Sequence, residues 1–234
     1  MATGDKRSIL TQGQISVTGR LVDASNATLF ATVGYGSDPI ACIYKPVAGE
    51  RPLWDFPDGT LADREYAAFL VSDYLGLDLV PLTILREGPY GMGMVQEWID
   101  IDESIDLADY FSRDLPQLRA MAFFDAIINN TDRKIGHLLP DTEGHLYGCD
   151  HGVTFHEEDK LRTVLWQWAG DPLTDQEVDL LHVLKNALGK ECDLSPHLTH
   201  REIEALHARL VRLLENRTMP SPNAEWPAIP WPAF

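Results

Sequence analysis

The hydrophobic pattern of this 234-residue chain changes near residue 100. Up to that point, short apolar runs bounded by turn-forming residues predict five strands, over 14–22, 28–33, 40–44, 79–86 and 91–98. One helical pattern lies among them, from Ala62 to about Gly76. Beyond it, four helices are predicted, over 115–128, 161–169, 175–188 and 199–216, with a small hairpin over 136–149. The chain is therefore predicted to be an α+β protein.

The same change of pattern predicts the domain organisation. We expect a strand-rich first lobe over 1–99, a mainly helical second lobe over 100–219, and a tail over 220–234. The tail contains five prolines and two tryptophans, so it cannot be a helix. We expect it to pack as an extended strap on the protein or to stay loose.

Charge and composition exclude several classes of partner. The formal net charge of −17 should repel nucleic acid and anionic lipid, so we expect neither as a partner. The first ten residues lack the apolar core of a signal peptide, and no apolar run reaches the length of a membrane span. The three cysteines are far apart and form no CxxC pair, which is typical of reduced thiols. These features predict a cytoplasmic protein.

Two polar motifs in the second lobe indicate a site. Asn130-Thr-Asp-Arg133 follows a strongly apolar helix, and Asp150-His-Gly152 follows a predicted short strand. A helix cap would explain Asn130, but it would not explain Asp132 and its charged neighbours as well. Taken alone, Asp150-His-Gly152 is more often an ordinary turn.

The first lobe adds residues that are informative only together with these motifs. Lys45 ends an apolar strand, and Glu65 on the following helix has the charge to pair with it. Alone, each is more typical of a solvated surface. Ser25 and Asn26 lie in a turn without glycine, whose backbone amides could cradle phosphate oxygens. The connector 95–99 joins the two lobes and offers backbone groups and an aromatic side chain to a planar ligand.

In order and separation, four segments resemble the phosphatidylinositol 3/4-kinase-like branch of the protein-kinase fold: Ile43-Tyr-Lys-Pro46, Arg64-Glu-Tyr-Ala67, Asn130-Thr-Asp-Arg133 and Asp150-His-Gly152. The chain is most similar to the compact actinobacterial proteins of this type, which are distantly similar to type II phosphatidylinositol 4-kinases and HipA-type kinases. The resemblance covers about residues 15–190. It implies a bilobal kinase-like fold, with an antiparallel sheet in the first lobe, and ATP-dependent phosphoryl transfer.

The resemblance also implies roles for individual residues. Lys45 would contact the ATP phosphates and Glu65 would orient it, beside the turn that contains Ser25 and Asn26. The adenine would lie against the hinge residues Glu97, Trp98 and Ile99. Asp132 would be the catalytic aspartate, with Arg133 as a further catalytic residue. Asp150, with His137, would hold Mg²⁺ or Mn²⁺.

The chain departs from this family pattern at two positions. His137 stands where most of these kinases have a metal-binding asparagine, and imidazole suits Mn²⁺ better than Mg²⁺. His151 replaces the phenylalanine of the usual Asp-Phe-Gly. The segment after Asp150 is acidic on balance, so the expected acceptor is a hydroxyl of a protein or of a small soluble molecule, not a membrane lipid.

Three other hypotheses remain open at this point. His137 and the missing glycine loop would also fit a catalytically impaired, nucleotide-binding scaffold. A metal-dependent hydrolase could use the acidic and imidazole groups His137, His145, Asp150, His151 and His156, although their spacing fits no known zinc motif. The tail could instead bind a partner through Trp226 and Trp231.

Overall fold

The computed structural model describes residues 3–21, 26–35, 39–57 and 60–234. In that part of the chain the elements are, in order, α1 (Thr3–Gln12), β1 (Gln14–Arg20), β2 (Leu29–Gly34), β3 (Ile40–Pro46), α2 (Leu61–Tyr74), β4 (Thr83–Gly88), β5 (Gly91–Glu97), α3 (Leu107–Tyr110), α4 (Pro116–Ile128), β6 (Leu138–Pro140), β7 (Leu146–Gly148), α5 (Asp175–Ala187) and α6 (His200–Asn216).

The first lobe is built on a five-stranded antiparallel sheet in the order β1-β2-β3-β5-β4. Side chains alternate between the two faces of a strand, so Cys42 and Tyr44 of β3 are buried in the core. Ile43 and Lys45 lie on the other face and are only partly buried. The alternation therefore turns Lys45 away from the core of the first lobe.

Two elements of the first lobe differ from the predictions. Helix α1 was not predicted, because its sequence is largely polar; it is held by distant residues, with Arg86 donating to the Leu10 carbonyl at 2.7 Å. Strand β4 begins at Thr83 and not at Leu79. The reason is that the Leu79 carbonyl accepts a hydrogen bond from Gly148 of β7, so this stretch pairs with the second lobe.

The second lobe is organised around α4, whose residues 121–128 are all buried. The helix ends where Asn129 adopts a left-handed conformation with φ of 52°. Helices α5 and α6 each begin with a capping box, formed by Thr174 with Glu177 and by Thr199 with Glu202. Apart from the short α3, these elements match the predictions within one or two residues, and the predicted α+β fold class is confirmed.

The prediction of a helix over 161–169 is wrong. At its start the backbone groups pair with distant parts of the chain: the Arg162 amide donates to the Asn130 carbonyl at 2.9 Å, and the Arg162 carbonyl accepts from the Arg133 amide at 3.0 Å. A helix would need that carbonyl for the amide of Trp166, four residues on. The segment therefore lies as an irregular strip along the loop after α4.

The tail packs on this strip as an extended strap, as one of the two expectations had it. The Ala228 carbonyl accepts from the Thr163 amide at 3.1 Å, and the Ala233 carbonyl accepts from the Ile135 amide at 2.9 Å. A Cβ placed on Gly136 would lie 3.9 Å from the Phe234 ring, so the end of the strap reaches the turn at 135–137. The domain boundaries expected near 100 and 220 stay predictions.

Within the described ranges, no helix has the length and apolar character needed to cross a bilayer.

The α6 capping box generates a prediction. Glu202 accepts from the Thr199 amide at 2.8 Å and also pairs with buried Arg64 at 2.5 Å, which joins α6 to α2. We expect Glu202→Ala to lower the free energy of unfolding by about 3–5 kcal/mol, because it leaves a buried guanidinium unpaired. Denaturant unfolding measures this loss.

Glu204→Ala is the matched control on the same helix. Among the described residues Glu204 pairs with exposed His200 alone, so its loss should cost less than about 1 kcal/mol. Equal losses in the two variants would contradict the role given to Glu202.

Candidate active site

Three charged side chains meet where the two lobes face each other. The Lys45 ammonium lies 2.6 Å from Glu65 Oε1 and also forms a short ion pair with Asp150. Glu65 is on α2 and only 3% exposed, and its other oxygen accepts from the His151 amide at 2.9 Å. One carboxylate therefore connects the lysine of β3 with the backbone of the loop after β7.

The backbone of this loop is shaped for the close approach. Asp150 has a left-handed conformation with φ of 59°, which is uncommon for a residue with a side chain. A Cβ on Gly152 would lie 3.3 Å from Leu61 Cβ, so glycine allows the loop to pack against α2. The Asp150 side chain remains about half exposed.

The ion pair fixes the ionisation of Lys45 and Asp150. Burial alone would lower the pKa of Lys45, but the carboxylates of Asp150 and Glu65 outweigh it and raise that pKa above its ordinary value. The charge of Lys45 is the main reason why the pKa of Asp150 lies below its ordinary value, against the opposing effect of burial. Both side chains are therefore charged at neutral pH.

Asp132 is placed by Asn130 in the loop after α4. The Asn130 amide nitrogen donates to Asp125 at 2.9 Å, and its oxygen accepts from the Asp132 amide at 3.0 Å. The Asp132 carboxylate lies 3.3 Å from the Lys134 ammonium and 3.5 Å from the Arg162 guanidinium. Burial raises the pKa of Asp132, although both cations act to lower it.

Arg133 points into the interior, away from the cleft. Its side chain is fully buried and pairs with Asp125 at 2.9 Å. It also donates to the Cys149 carbonyl at 3.0 Å and contacts His151 Nε2 at 2.7 Å. In this position Arg133 does not contact a ligand in the cleft. We therefore replace the catalytic role predicted for it by the proposal that it positions the residues around it.

His137 lies beside Asp150, with its Nε2 atom 3.4 Å from Asp150 Oδ2. Burial lowers the pKa of His137 to about 4, so the ring is neutral at pH 7. Burial also holds the pKa of His151 well below its ordinary value. A neutral imidazole beside a carboxylate is a pair of groups that can bind a divalent metal.

The other histidines do not join this pair. His145 contacts the Asp78 carbonyl at 2.6 Å, and His156 lies 3.3 Å from the Lys160 ammonium. Among the residues that the structure describes, no three Asp, Glu, His or Cys side chains are arranged to hold a metal. The hydrolase hypothesis therefore has no geometric support.

Two cavities meet at Lys45, His137 and Asp150, which line both. The larger cavity, of about 650 Å³, has mainly apolar walls, which include Leu21, Ile43, Ile101 and Leu139. The smaller one, of about 410 Å³, combines apolar walls with polar and charged side chains, which include Asn26, Arg51, Glu65 and Asp132. The cleft thus has two compartments that share the ion-paired lysine.

The predicted hinge residues Glu97, Trp98 and Ile99 line the larger cavity. The amides of Glu97 and Trp98 donate to the carbonyls of Leu82 and Ala41 at 2.8 and 3.0 Å. In the described part of the chain the Ile99 amide has no acceptor.

Only part of the turn predicted to bind phosphates lies within the described residues. Ser25 lies outside the described residues. The Asn26 side chain accepts from the Arg51 amide at 2.9 Å and lines the smaller cavity. Arg51 and Arg162 were missed by the sequence analysis, because neither belongs to a motif and each meets the site through a contact distant in sequence.

The charge coupling predicts how stability depends on pH. Because its folded pKa lies below 3.8, Asp150 contributes stability above about pH 4 that is lost as the pH falls further. Lys45→Met removes the charge that lowers this pKa. We therefore expect the variant to lose less unfolding free energy than the wild type between about pH 5 and pH 2.

The dependence of stability on alkaline pH offers a second measurement of the same coupling. The pKa of Lys45 is raised above 10.5, so its contribution is complete below about pH 10 and is lost at higher pH, a loss that the variant lacks. Lys190→Met, at an exposed lysine whose partner in the described part of the chain is the Asn186 carbonyl, should keep the wild-type profile. Parallel profiles for Lys45→Met and the wild type would refute the coupling.

Comparison with known proteins supports the fold. No family model matches the chain. Its fold is similar to that of the Golgi casein kinase with Mn/ADP bound, with a TM-score of 0.58 and 14% identity over 91% of this chain and 74% of that chain. A second structure of the Golgi casein kinase gives 0.55 and 13% identity over 91% and 75%. The predicted kinase-like fold is confirmed by these likenesses.

A much closer relative is known from sequence. The chain is 44% identical to protein Rv2133c of Mycobacterium tuberculosis over 267 aligned positions, which cover 98% of this chain and 96% of that protein. The chain therefore belongs to the family of protein Rv2133c.

Proposed function

We propose that this protein is an ATP-dependent phosphotransferase that transfers a phosphoryl group to a hydroxyl of a protein or of a small molecule. The observation that carries the proposal is the position of Lys45, which is paired with both Glu65 and Asp150 where the two cavities meet. The order of the four motifs supports the phosphatidylinositol 3/4-kinase-like type. The net charge of −17 disfavours binding to an anionic membrane, so we do not propose a membrane lipid as the acceptor.

The larger cavity has the properties that an adenine ring requires. Its walls are mainly apolar, and its volume lies within the range of small-molecule sites. The free Ile99 amide would donate to the ring, and Lys45 would contact the phosphates at the junction of the two cavities. Glu65 holds Lys45 in that position before the ligand arrives.

The donor set fits a single magnesium or manganese ion. Asp150 is a half-exposed carboxylate, and His137 is a neutral imidazole 3.4 Å away. Magnesium sites on nucleotides usually use one or two protein ligands, with phosphate oxygens and water completing the shell. A bound ion would neutralise phosphate charge. The Golgi casein kinase structure with Mn/ADP supports this combination of ligands.

Asp132 would orient the acceptor hydroxyl and accept its proton. Asp132 lines the smaller cavity, which shares Lys45 with the larger cavity proposed for the adenine ring. Lys134 and Arg162 would hold the carboxylate in place and stabilise negative charge on the transferred group. Positioning of this kind supplies most of the catalysis in phosphoryl transfer.

A second candidate is the catalytically impaired nucleotide-binding scaffold. The direct Lys45–Asp150 ion pair favours it, because it occupies the carboxylate that would hold the metal. Calorimetry with an ATP analogue and Mn²⁺, followed by ADP release with ATP, separates the two. Binding without turnover supports the scaffold, and absence of binding removes both candidates.

The role of Asp132 predicts a loss of turnover. We expect Asp132→Asn to lower kcat for ADP release by about 10²–10⁴-fold, the usual contribution of a general base. Affinity for the ATP analogue should change little, because Asp132 does not line the larger cavity. Asp109→Asn, at an exposed residue paired with Arg113, is the control and should keep full activity.

The raised pKa of Asp132 predicts the acid limb of the rate profile. Turnover needs the carboxylate form, so kcat/KM should fall as the pH drops through a pKa above 3.8. Lys134→Met removes a charge that lowers this pKa, and the acid limb should move to higher pH. A limb that stays in place would show that Asp132 is not the titrating group.

A further inference from the structure

We infer that Lys160 is a positioning residue for the acceptor side of the cleft, and this rests on the proposed function. Lys160 belongs to the second lobe, yet it holds residues 50–57 of the first lobe, which we call the wall loop. Through this contact the wall loop becomes a fixed side of the smaller cavity.

The wall loop forms one side of the compartment that contains Asp132. Four of its residues line the smaller cavity: Glu50, Arg51, Pro52 and Leu53. One end of the loop is tied to the first lobe, because the Glu50 carboxylate accepts from the Leu61 and Ala62 amides at 3.1 and 2.8 Å. An acceptor that reaches Asp132 would therefore pass along this loop.

The other end of the loop is tied to Lys160 by aromatic contacts. The Lys160 side chain is only 4% exposed, although lysine is rarely buried. Its ammonium lies 4.8 Å from the Trp54 ring of the wall loop and 4.9 Å from the Trp226 ring of the tail. A cation between two indole rings gains a cation–π attraction that increases as water is excluded.

An ion pair adds to these contacts. Lys160 lies 3.3 Å from Asp55 of the wall loop, whose side chain is 14% exposed. Its pair with Glu158 at 3.1 Å is on the solvent side and contributes less, since Glu158 is 69% exposed. The Lys160 backbone amide donates to the Asn129 side chain at 3.0 Å, so the backbone of Lys160 is tied to the end of α4.

Phe56 makes a second contact across the lobes. Its ring is 5% exposed and packs edge-on against His156 of the second lobe at 5.3 Å. The Arg64 guanidinium of α2 lies over the same ring at 4.9 Å. The wall loop thus joins the lobes on the side of the cleft that contains Asp132, opposite the connector near residue 98.

This arrangement gives Lys160 an effect that a surface lysine would not have. Without its charge, Trp54 and Asp55 lose their common partner, and the wall loop should open locally while both lobes stay folded. Lys160→Arg should keep the loop closed, because guanidinium also pairs with carboxylate and stacks on indole rings.

Hydrogen exchange followed by mass spectrometry tests the inference without any acceptor. In Lys160→Met we expect exchange in peptides covering 50–57 to accelerate by at least about fivefold, as the loss of a cation–π contact and an ion pair implies. Exchange in α2 and α4 should not change. Lys160→Arg and the surface control Lys190→Met should resemble the wild type.

Trp54→Ala provides an independent variant, since Trp54 is 84% exposed and its loss should leave the fold intact. It should also accelerate exchange in 50–57. Unchanged exchange there in both Lys160→Met and Trp54→Ala would overturn the inference, as would an acceleration spread over α2 and α4.

Kinetics then separates the inference from the proposed function. If the wild type releases ADP, Lys160→Met should alter kcat while the affinity for the ATP analogue stays within about twofold, because the wall loop does not line the larger cavity. A fall in analogue affinity with kcat unchanged would overturn the positioning role. Absence of turnover in the wild type would instead refute the proposed function, and the exchange data would still decide whether Lys160 holds the loop.

Discussion

The geometry of the cleft depends on the interactions of the buried Arg133 guanidinium. Each of its three nitrogens has an acceptor within the protein: Asp125 of α4, the Cys149 carbonyl and the His151 ring. Burying this charge would be unfavourable without such complete pairing. Because Asp132 precedes Arg133, and Asp150 lies between two of its partners, one side chain sets the distance between the two carboxylates of the site.

Three of the contacts that join the lobes differ in kind. Near the connector, the chain itself continues from β5 into the second lobe. At the centre, Lys45 and Glu65 of the first lobe meet Asp150, and this contact is mainly electrostatic. On the far side, the contact at Lys160 combines charge with aromatic rings. Charges at the centre will respond to an anionic ligand far more strongly than apolar packing can, so the centre is the place where ligand binding would alter the relation between the lobes.

Much of this fold could be predicted, because its strands are short apolar runs bounded by turn-forming residues and α4 is a long apolar run. Helix α1 could not, since its support comes from Arg86 and not from its own pattern. The segment 161–169 looked helical because its hydrogen bonds to Asn130 and Arg133 are invisible in sequence. For the site, motif order predicted that Lys45, Glu65, Asp132 and Asp150 share one cleft, and all four line the smaller cavity, whereas it could not show that Arg133 faces inward. The sequence shows which residues a site can contain, whereas the direction of each side chain depends on packing.

The strap formed by the tail has a consequence for work with this protein. Its end lies against Gly136, and Gly136 lines the larger cavity. Any chain continued beyond Phe234, such as an affinity tag or a fused domain, would leave the protein at the rim of the compartment proposed for the base. A tag placed there would begin close to this compartment, so binding measurements call for its removal.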